Sequence, residues 1–423
     1  MIEIISFIVF LIGYVAISLE QYTKVSKTSV SLLVGVSIWI LAFMSNQSHI
    51  AISLGESAQE IFGLVIFLLS AMTLVEILTH YGLFDVLYEK LISLHIGDKA
   101  QFWIITLLTF FFSSFLDNLT TTIIFIQIAS RLFQGTNFLK AGAAIVIAAN
   151  AGGAFSPIGD VTTTMLWLAH KFSVSEVTSQ IFLPSLTATA VSTYFIGKSI
   201  QGDTRDIVEK QTVVTRSEWF IISLCLFSFT LPLAMTLFQL PPYLGLLFGL
   251  GIVWLAVDLL RLRHQESSKL AISIEKFFQK TDIASLYFFI GILIAIGALK
   301  YLGILGTISH IVFGNDPSSL RVVSGNIIMG ILSALFDNIP LTAVAIEIVK
   351  TDVANFWTLL AYTVGTGGSL LVIGSAPGII AMTLIKHLTF TKYVRIATGP
   401  AFFGYILGLL VWLIQFSLMG GHL

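Results

Sequence analysis

Two related segments, Ser113-Ser-Phe-Leu-Asp117-Asn118 and Ser333-Ala-Leu-Phe-Asp337-Asn338, each place an Asp-Asn pair in the middle of a long apolar stretch. The stretches cover residues 101–134 and 320–350. Each arm beside the pair has about fifteen residues, roughly 22 Å of helix, which is too short to cross about 30 Å of hydrocarbon. The pattern therefore predicts two re-entrant helical hairpins, which enter a membrane and return to the same side.

Two further apolar runs, 138–170 and 354–386, are too long for one membrane helix and are interrupted by glycine-rich segments. The interruptions are Asn150-Ala-Gly-Gly-Ala-Phe-Ser-Pro-Ile-Gly-Asp160 and Gly365-Thr-Gly-Gly-Ser-Leu-Leu-Val-Ile-Gly-Ser375. Glycine weakens a helix because it loses more backbone freedom than other residues, and proline removes a helix hydrogen bond. Both runs are therefore predicted to be broken helices.

The second half of the chain repeats the first. The Asp-Asn pairs lie 220 residues apart, the Gly-Gly pairs 215, and Gly82 and Gly303 lie 221 apart. Ten runs are predicted to span the membrane: 2–19, 28–45, 60–79, 138–170, 179–198, 218–238, 243–260, 282–300, 354–386 and 399–419. Each copy holds five of these spans, and an odd number of crossings turns the second copy upside down.

The predicted fold is therefore an all-α integral membrane protein made of two inverted-topology repeats of five spans each, with two re-entrant hairpins and two broken helices. Residues 1–200 form the first repeat, 201–216 a cytoplasmic linker and 217–423 the inverted second repeat.

Basic residues support hairpins that do not cross. Short cytoplasmic loops collect Lys and Arg. With non-crossing hairpins, eighteen Lys and Arg residues, among them Lys24 and Lys27, fall on one side of the membrane and four on the other. If the hairpins crossed the membrane, 10 Lys and Arg residues would lie on one side and 12 on the other, which is no bias. The distribution predicts that both termini lie outside the cytoplasm, that the first hairpin enters from the cytoplasm and that the second enters from outside.

The composition excludes several other classes of protein. Hydrophobic residues make up 56% of the 423 and charged residues 11%, against roughly 25% charged residues in a soluble domain. A formal net charge of −1 argues against nucleic-acid binding, and a single cysteine, Cys225, excludes a disulfide framework and a cysteine-ligated metal. The sequence holds no phosphate loop, zinc-helix signature or nucleophile elbow, so it gives no signal for an enzyme.

Three carboxylates, Asp117, Asp160 and Asp337, lie at the predicted helix breaks. A charged side chain at the centre of a membrane helix costs at least about 2.5 to 3.5 kcal/mol on insertion scales, so its presence indicates function. Neutral oxygen donors accompany the three: Asn118, Asn150, Thr162, Thr163, Ser333, Asn338, Thr366 and Ser369. Carboxylate, amide and hydroxyl oxygens bind hard cations, and broken helices add free carbonyl oxygens near the midplane. We therefore expect a cation- or proton-binding site where the breaks meet.

Each carboxylate also has a purely structural interpretation, because Asp is a favoured N-cap. Asp117 precedes Leu119-Thr-Thr-Thr122, and Asp160 precedes a half-helix that begins at Val161. Asn or Ser would cap equally well without a buried charge, so two symmetric Asp-Asn tips favour binding of a cation or proton. For Asp160, capping and ion contact both stay open.

Glu76 and His80 lie one helical turn apart near the end of the third predicted span. They form either an interfacial pair that reaches to water or a proton relay or pH sensor, since histidine titrates near neutral pH. The spacing alone leaves both interpretations open.

Four motifs resemble those of the NhaD family of bacterial Na⁺/H⁺ antiporters, within the ion transporter superfamily. They are Phe115-Leu-Asp-Asn-Leu-Thr-Thr-Thr122, the segment from Asn150 to Thr163, Leu335-Phe-Asp-Asn-Ile-Pro-Leu-Thr342 and Gly365-Thr-Gly-Gly-Ser369. The resemblance covers almost the whole chain. Ala71-Met-Thr-Leu-Val-Glu76 also looks like the family's third span, which adds Glu76 as a functional candidate.

The resemblance implies an exchanger of Na⁺ or Li⁺ for H⁺ in the bacterial inner membrane, with a role in pH homeostasis. It further implies a homodimer in membrane lipid, an elevator-like displacement of the hairpins and no cofactor. Na⁺ is expected at Asp117, Asn118, Asp337 and Asn338, where a proton and Na⁺ compete for the same partly desolvated oxygens. One position departs from symmetry, since Ser375 stands where the first broken helix has Asp160.

Three alternatives remain. A dicarboxylate carrier of the same superfamily resembles this fold but carries neutral Ser-Asn-Thr tips, and carboxylates at both tips would repel an anion. A permease similar to the arsenite carriers is harder to exclude, because fold does not fix function. A structural or sensor membrane protein would have no need for carboxylates at the midplane.

Overall fold

The computed structural model describes residues 2–18, 20–44, 49–93, 96–200, 202, 214–262, 275–313 and 318–421. This part of the chain is helical and contains no strand. The first half forms α1 Ile2–Ser18, α2 Glu20–Thr23, α3 Lys27–Met44, α4 Ile50–His80, α5 Leu83–Ser93, α6 Asp98–Phe112, α7 Asn118–Leu132, α8 Gly135–Ala154, α9 Val161–Leu168 and α10 Val174–Gly197.

The second half forms α11 Arg216–Ser228, α12 Leu231–Leu237, α13 Pro242–Arg261, α14 Glu275–Phe278, α15 Ile283–Tyr301, α16 Ile304–Phe313, α17 Ser319–Leu332, α18 Asn338–Ile348, α19 Ala354–Gly367, α20 Ala376–Leu384, α21 Phe390–Tyr393 and α22 Gly399–Leu418. A π-helical turn, Val394–Thr398, joins the last two. The predicted linker 201–216 lies outside the described residues, apart from 202 and 214–216.

Six helical stretches among the described residues are long and apolar enough to cross a membrane. They are Lys27–Met44, Ile50–His80, Arg216–Leu237, Pro242–Arg261, Ile283–Tyr301 and Phe390–Leu418. The longest, α4, has 31 residues, and it contains the predicted span 60–79 with ten more residues at its start. These helices confirm the all-helical prediction and support a multi-pass membrane protein.

A helix–turn–helix unit stands at each predicted hairpin. The turn at 113–117 separates α6 from α7, which have 15 residues each, and the turn at 333–337 separates α17 from α18, which have 14 and 11. At 1.5 Å per residue the longest of these arms is about 23 Å. The turns lie where the Asp-Asn pairs place them, and re-entry into the membrane stays a prediction.

Both predicted helix breaks are present; the first begins after its Gly-Gly pair, and the second begins within its Gly-Gly pair. Gly152 and Gly153 belong to the last turn of α8, and Gly367 is the last residue of α19. A Cβ on Gly152 would lie 2.1 Å from the carbonyl oxygen of Phe110, and one on Gly367 would lie 2.0 Å from that of Gly330. These glycines therefore allow the first arm of each hairpin to pack directly on the adjacent broken helix.

Helices from both halves of the chain pack in one row. One row runs α1, α3, α15, α4, α13 and α11, with each helix contacting the next. The second group joins α6 and α7 to α8, α17 to α19, and α10 to α22. Gly82 follows α4 at a φ of 84° and Gly303 follows α15 at a φ of 73°, so both halves turn with the left-handed backbone that glycine adopts without strain.

Candidate functional site

Each of the three predicted carboxylates lies at the N-cap of a helix. The Oδ1 atom of Asp117 accepts a hydrogen bond of 2.8 Å from the backbone of α7. Asp160 Oδ1 accepts one of 3.3 Å from α9, and Asp337 Oδ1 accepts one of 3.5 Å from α18. The capping interpretation is therefore confirmed for all three. One cap uses one oxygen, which leaves the second oxygen of each carboxylate for another contact.

Asn150 joins three of the four breaks. It is fully buried, and its Oδ1 accepts a hydrogen bond of 3.1 Å from Nδ2 of Asn118 at the first hairpin tip. Its own Nδ2 donates bonds of 2.8 Å to Oγ of Ser369 and to Oγ of Ser375, which border the second broken helix. A side chain predicted only as an oxygen donor thus ties the first hairpin to both broken helices.

Asp160 connects the remaining break to this cluster. Only 1% of the residue is exposed, and its Oδ2 accepts a hydrogen bond of 3.4 Å from Nδ2 of Asn338 at the second hairpin tip. The predicted residues from all four breaks are thereby brought together.

Three buried oxygens in this region accept and donate no hydrogen bond within the described part of the chain. They are Asp117 Oδ2, Thr121 Oγ1 and Thr162 Oγ1. Buried polar atoms in proteins are nearly always paired, because an unpaired one costs about 1 to 3 kcal/mol. A carboxylate and two hydroxyl oxygens in this state are suitable ligands for a small hard cation.

The other predicted hydroxyls donate hydrogen bonds to backbone carbonyls, between helices or within one helix. Ser333 Oγ donates 2.9 Å to the carbonyl of Val364, and Ser113 makes the same bond, of 2.6 Å, to Ala149 in the first half. Thr163 Oγ1 donates to a carbonyl of α8 at 3.4 Å, and Thr366 Oγ1 donates to one of α19 at 2.5 Å. These hydroxyl groups therefore stabilise the helix structure, and each hydroxyl oxygen still has a lone pair for a further contact.

Asp337 differs from its counterpart Asp117. Its Oδ2 lies 3.8 Å from Nζ of Lys27, and both side chains are mostly buried. A small cavity of about 30 Å³ opens beside this ion pair; its lining includes Tyr14 of α1, Glu20 of α2 and apolar residues from α1, the second hairpin, the second helix break and α20. Asp117 makes no ion pair with any described residue. The two hairpin tips are therefore unequal in charge.

Glu76 and His80 lie on the last turns of α4, as predicted. The His80 ring contacts the rings of Tyr81 and Phe277, with centroids 5.0 and 5.2 Å away. Glu76 is half-buried and within electrostatic range of Lys280. The structure places the pair beside α14 and leaves open whether it relays protons.

Two contributors were missed by the sequence interpretation. Lys27 was counted with the loop residues, and its place immediately before an apolar run is the only sequence signal for it. Tyr393 donates 2.8 Å from its hydroxyl to the carbonyl of Ser369 and so fixes the second break. Its sequence surroundings, Thr391-Lys-Tyr-Val394, carry no such signal.

Long apolar helices around buried carboxylates at helix breaks define a multi-pass membrane protein of the transporter class. A family model described as a citrate transporter (CitMHS) matches residues 14–365. The chain is 34% identical over 419 residues to sodium/proton antiporter 1 of Arabidopsis thaliana, covering 96% of this chain and 71% of that protein.

Bacterial relatives match over a similar length. The chain is 32% identical over 440 residues to the Na⁺/H⁺ antiporter NhaD of Alkalimonas amylolytica, covering 96% of this chain and 89% of that protein. It is 29% identical over 443 residues to NhaD of Vibrio cholerae, covering 96% of this chain and 90% of that protein. The chain belongs to the NhaD family of Na⁺/H⁺ antiporters.

Proposed function

We propose that the chain exchanges Na⁺ for H⁺ across a membrane, with both ions bound where the four helix breaks meet. The observation that carries this proposal is the buried, unpaired oxygen of Asp117 beside the hydrogen-bonded cluster around Asn150 and Asp160. Relatives named sodium/proton antiporter and Na⁺/H⁺ antiporter NhaD support the same substrates.

Competition for one set of oxygens couples the two ions. A carboxylate buried without a counter-ion is destabilised in its charged form, so binding of either a proton or Na⁺ relieves it. Because the two ligands neutralise the same atom, one must leave before the other enters. Asp117, Asp160 and Asp337 are the shared ligands in this proposal, Asn118 and Asn338 orient the site, and Lys27 is a counter-ion of Asp337.

We further propose that the protein consists of two inverted repeats and that the hairpins are re-entrant. Contacts that recur in both halves support this: the hydrogen bonds of Ser113 and Ser333, and the close backbone approaches at Gly152 and Gly367. The helix row supports it as well, because exchanging the corresponding helices of the two halves gives the same row in reverse order. Inverted repeats suit alternating access, in which the hairpins and broken helices move as an elevator against the helix row. Both termini then lie outside the cytoplasm.

The family resemblance implies three finer assignments, which we include in the proposal: Li⁺ as a second substrate, a homodimer and the bacterial inner membrane. The sodium/proton antiporters of Arabidopsis thaliana are of comparable identity, so the type of membrane depends on the source organism. Fractionation of the native cells with detection of the chain tests the location, and size-exclusion chromatography with light scattering tests the dimer.

Everted membrane vesicles from an antiporter-deficient host test the exchange. Respiration makes the vesicle interior acidic, a pH-sensitive dye records this, and Na⁺, Li⁺ or K⁺ is then added at neutral and alkaline pH. We expect Na⁺ to dissipate the gradient. Asp117→Ser should abolish this response while the helix cap survives, because Ser caps as well as Asp. Asp258→Asn, a change to a carboxylate on α13 outside the breaks, is the matched control.

No response to any cation in well-expressed protein would contradict the proposal, as would a normal response in Asp117→Ser. A second candidate, transport of citrate or another carboxylic acid, is favoured by the description of the matching family. Uptake of labelled citrate or succinate by the same vesicles tests it. Four helix N-termini at the site could attract an anion, but the three carboxylates that cap them would repel it.

A further inference from the structure

A lysine from the first repeat lies against the tip of the second hairpin. Nζ of Lys27 is 3.8 Å from Oδ2 of Asp337, and only 19% and 14% of the two side chains are exposed. The ammonium also lies 4.6 Å from the ring centre of Phe288 on α15. The backbone N–H of Lys27 donates 2.8 Å to Oε1 of Glu20, which holds the start of α3 in place. Lys27 is therefore a positioned cation.

The pair lines a cavity that suits a small ion. The cavity of about 30 Å³ is bordered by the carboxylates of Glu20 and Asp337 and by Tyr14, together with apolar residues from α1, the second hairpin, the second helix break and α20. This volume accommodates one or two water molecules. An ion that enters here meets Lys27 in contact with the carboxylate that it would bind.

The arrangement exists at one hairpin only. Asp117 forms no ion pair with a described residue, and its Oδ2 is buried without a hydrogen-bond partner in that part of the chain. The helix that corresponds to α3 in the second half is α13, and the sequence has no Lys or Arg between Glu218 and Leu260. Within the described ranges, no lysine or arginine therefore pairs with Asp117 as Lys27 pairs with Asp337.

We propose that Lys27 is a tethered cation that occupies Asp337 when no transported ion is bound, and that the ion must displace it. This inference rests on the proposed function. It adds the ammonium group of Lys27 as a competitor of the transported ion at the same site. In the ion-free state Lys27 links the second hairpin to α3, one helix of the row. Binding of a cation at Asp337 breaks this link, so cation binding and release of the hairpin become one event.

Removal of the competitor should tighten binding of the ion. In Lys27→Met we expect the Na⁺ concentration that gives half-maximal exchange to fall about tenfold, a coupling of ordinary size for two sites that interact. Lys27→Arg retains the positive charge but differs in shape, so its half-maximal Na⁺ concentration should stay above that of Lys27→Met. Lys24→Met removes an exposed lysine three residues away and should have no effect.

Binding is measured separately from transport, by the Na⁺ concentration that raises the thermal stability of the full purified chain. The Na⁺ concentration at the midpoint of this stabilisation should be lower in Lys27→Met than in the wild type, as is expected for the half-maximal concentration in exchange. In Asp337→Asn, the further change of Lys27→Met should have no effect on the midpoint, because the partner of Lys27 is already neutral. The double variant removes both charges of the pair and leaves neither one buried without its partner. It can therefore be measured even if Lys27→Met alone fails to fold.

An unchanged or raised midpoint in Lys27→Met would overturn the inference, since a lysine that only positions Asp337 weakens binding when removed. An equal fall in Lys24→Met would also overturn it by showing a general effect of surface charge. These outcomes differ from failure of the proposed function, in which the wild-type chain itself shows no Na⁺-driven proton movement.

Discussion

Replacement of Asn150 by alanine is the sharpest test of the cluster that joins the helix breaks. The side chain makes three buried hydrogen bonds, one from Asn118 and two to Ser369 and Ser375. A buried hydrogen bond contributes about 1 kcal/mol net, so loss of the three lowers the free energy of unfolding by about 3 kcal/mol. The three partner atoms then lose these hydrogen bonds. If no water replaces the bonds, the loss in the free energy of unfolding is larger than this.

The matched control is Asn326→Ala. Asn326 is also fully buried, and its Nδ2 donates one bond of 2.7 Å to the carbonyl of Phe356, away from the hairpin tips. We expect a loss of about 1 kcal/mol from this change. Reversible unfolding of the full chain in mixed micelles with increasing SDS gives both values on one scale.

Exchange in vesicles provides the second measurement. Asn150→Ala should raise the half-saturating Na⁺ concentration about tenfold or more. A loss of about 1.4 kcal/mol in the free energy of Na⁺ binding, caused by the disturbed site, corresponds to a tenfold loss of affinity. Asn326→Ala should leave that concentration within about twofold. If Asn150→Ala unfolds no more easily than Asn326→Ala and retains its Na⁺ affinity, the three bonds do not hold the site together.

Three further predictions use the same two assays. Gly374→Ala places a Cβ 2.3 Å from a backbone oxygen and should lower the free energy of unfolding by about 1 to 3 kcal/mol, whereas Gly251→Ala, with nothing within 4 Å, should not lower it. Asp160→Asn retains the cap of α9 and should leave stability within about 1 kcal/mol of the wild type, but slow exchange at least about tenfold, because a charged ligand is lost. Lys300→Met breaks a 2.9 Å pair with Glu347, but Lys300 is 53% exposed, so we expect a change below about 1 kcal/mol; a larger loss would show that this pair is structurally important.

The sequence was most informative where local chemistry determines the backbone. An Asp-Asn pair in an apolar stretch marks both turns between hairpin arms, because Asp at an N-cap starts a new helix. The broken helices were predicted from glycine and proline, but α8 extends through its Gly-Gly pair and α19 ends at Gly367, the first glycine of the second pair. The role of those glycines depends on the neighbouring hairpin, which a local pattern does not contain.

Contacts between distant residues could not be predicted. Asn150 and Ser369 are 219 positions apart, and the choice of these partners depends on how four helix ends meet in space. Lys27 was assigned to a loop because lysines before apolar runs usually face water at the membrane surface. Its carboxylate partner, Asp337, comes from the other half of the chain, so neither residue identifies the other in the sequence.

The close approaches at Gly152 and Gly367 limit how the molecule can change shape. At each of them backbone lies on backbone, so no side chain can switch rotamer to let one helix slide past the other. Hydrogen bonds from Ser113 and Ser333 fasten the same pairs of helices. We therefore expect the first arm of each hairpin and the broken helix beside it to move as one rigid body in any transport motion, and sliding to occur at helix faces that meet through flexible side chains.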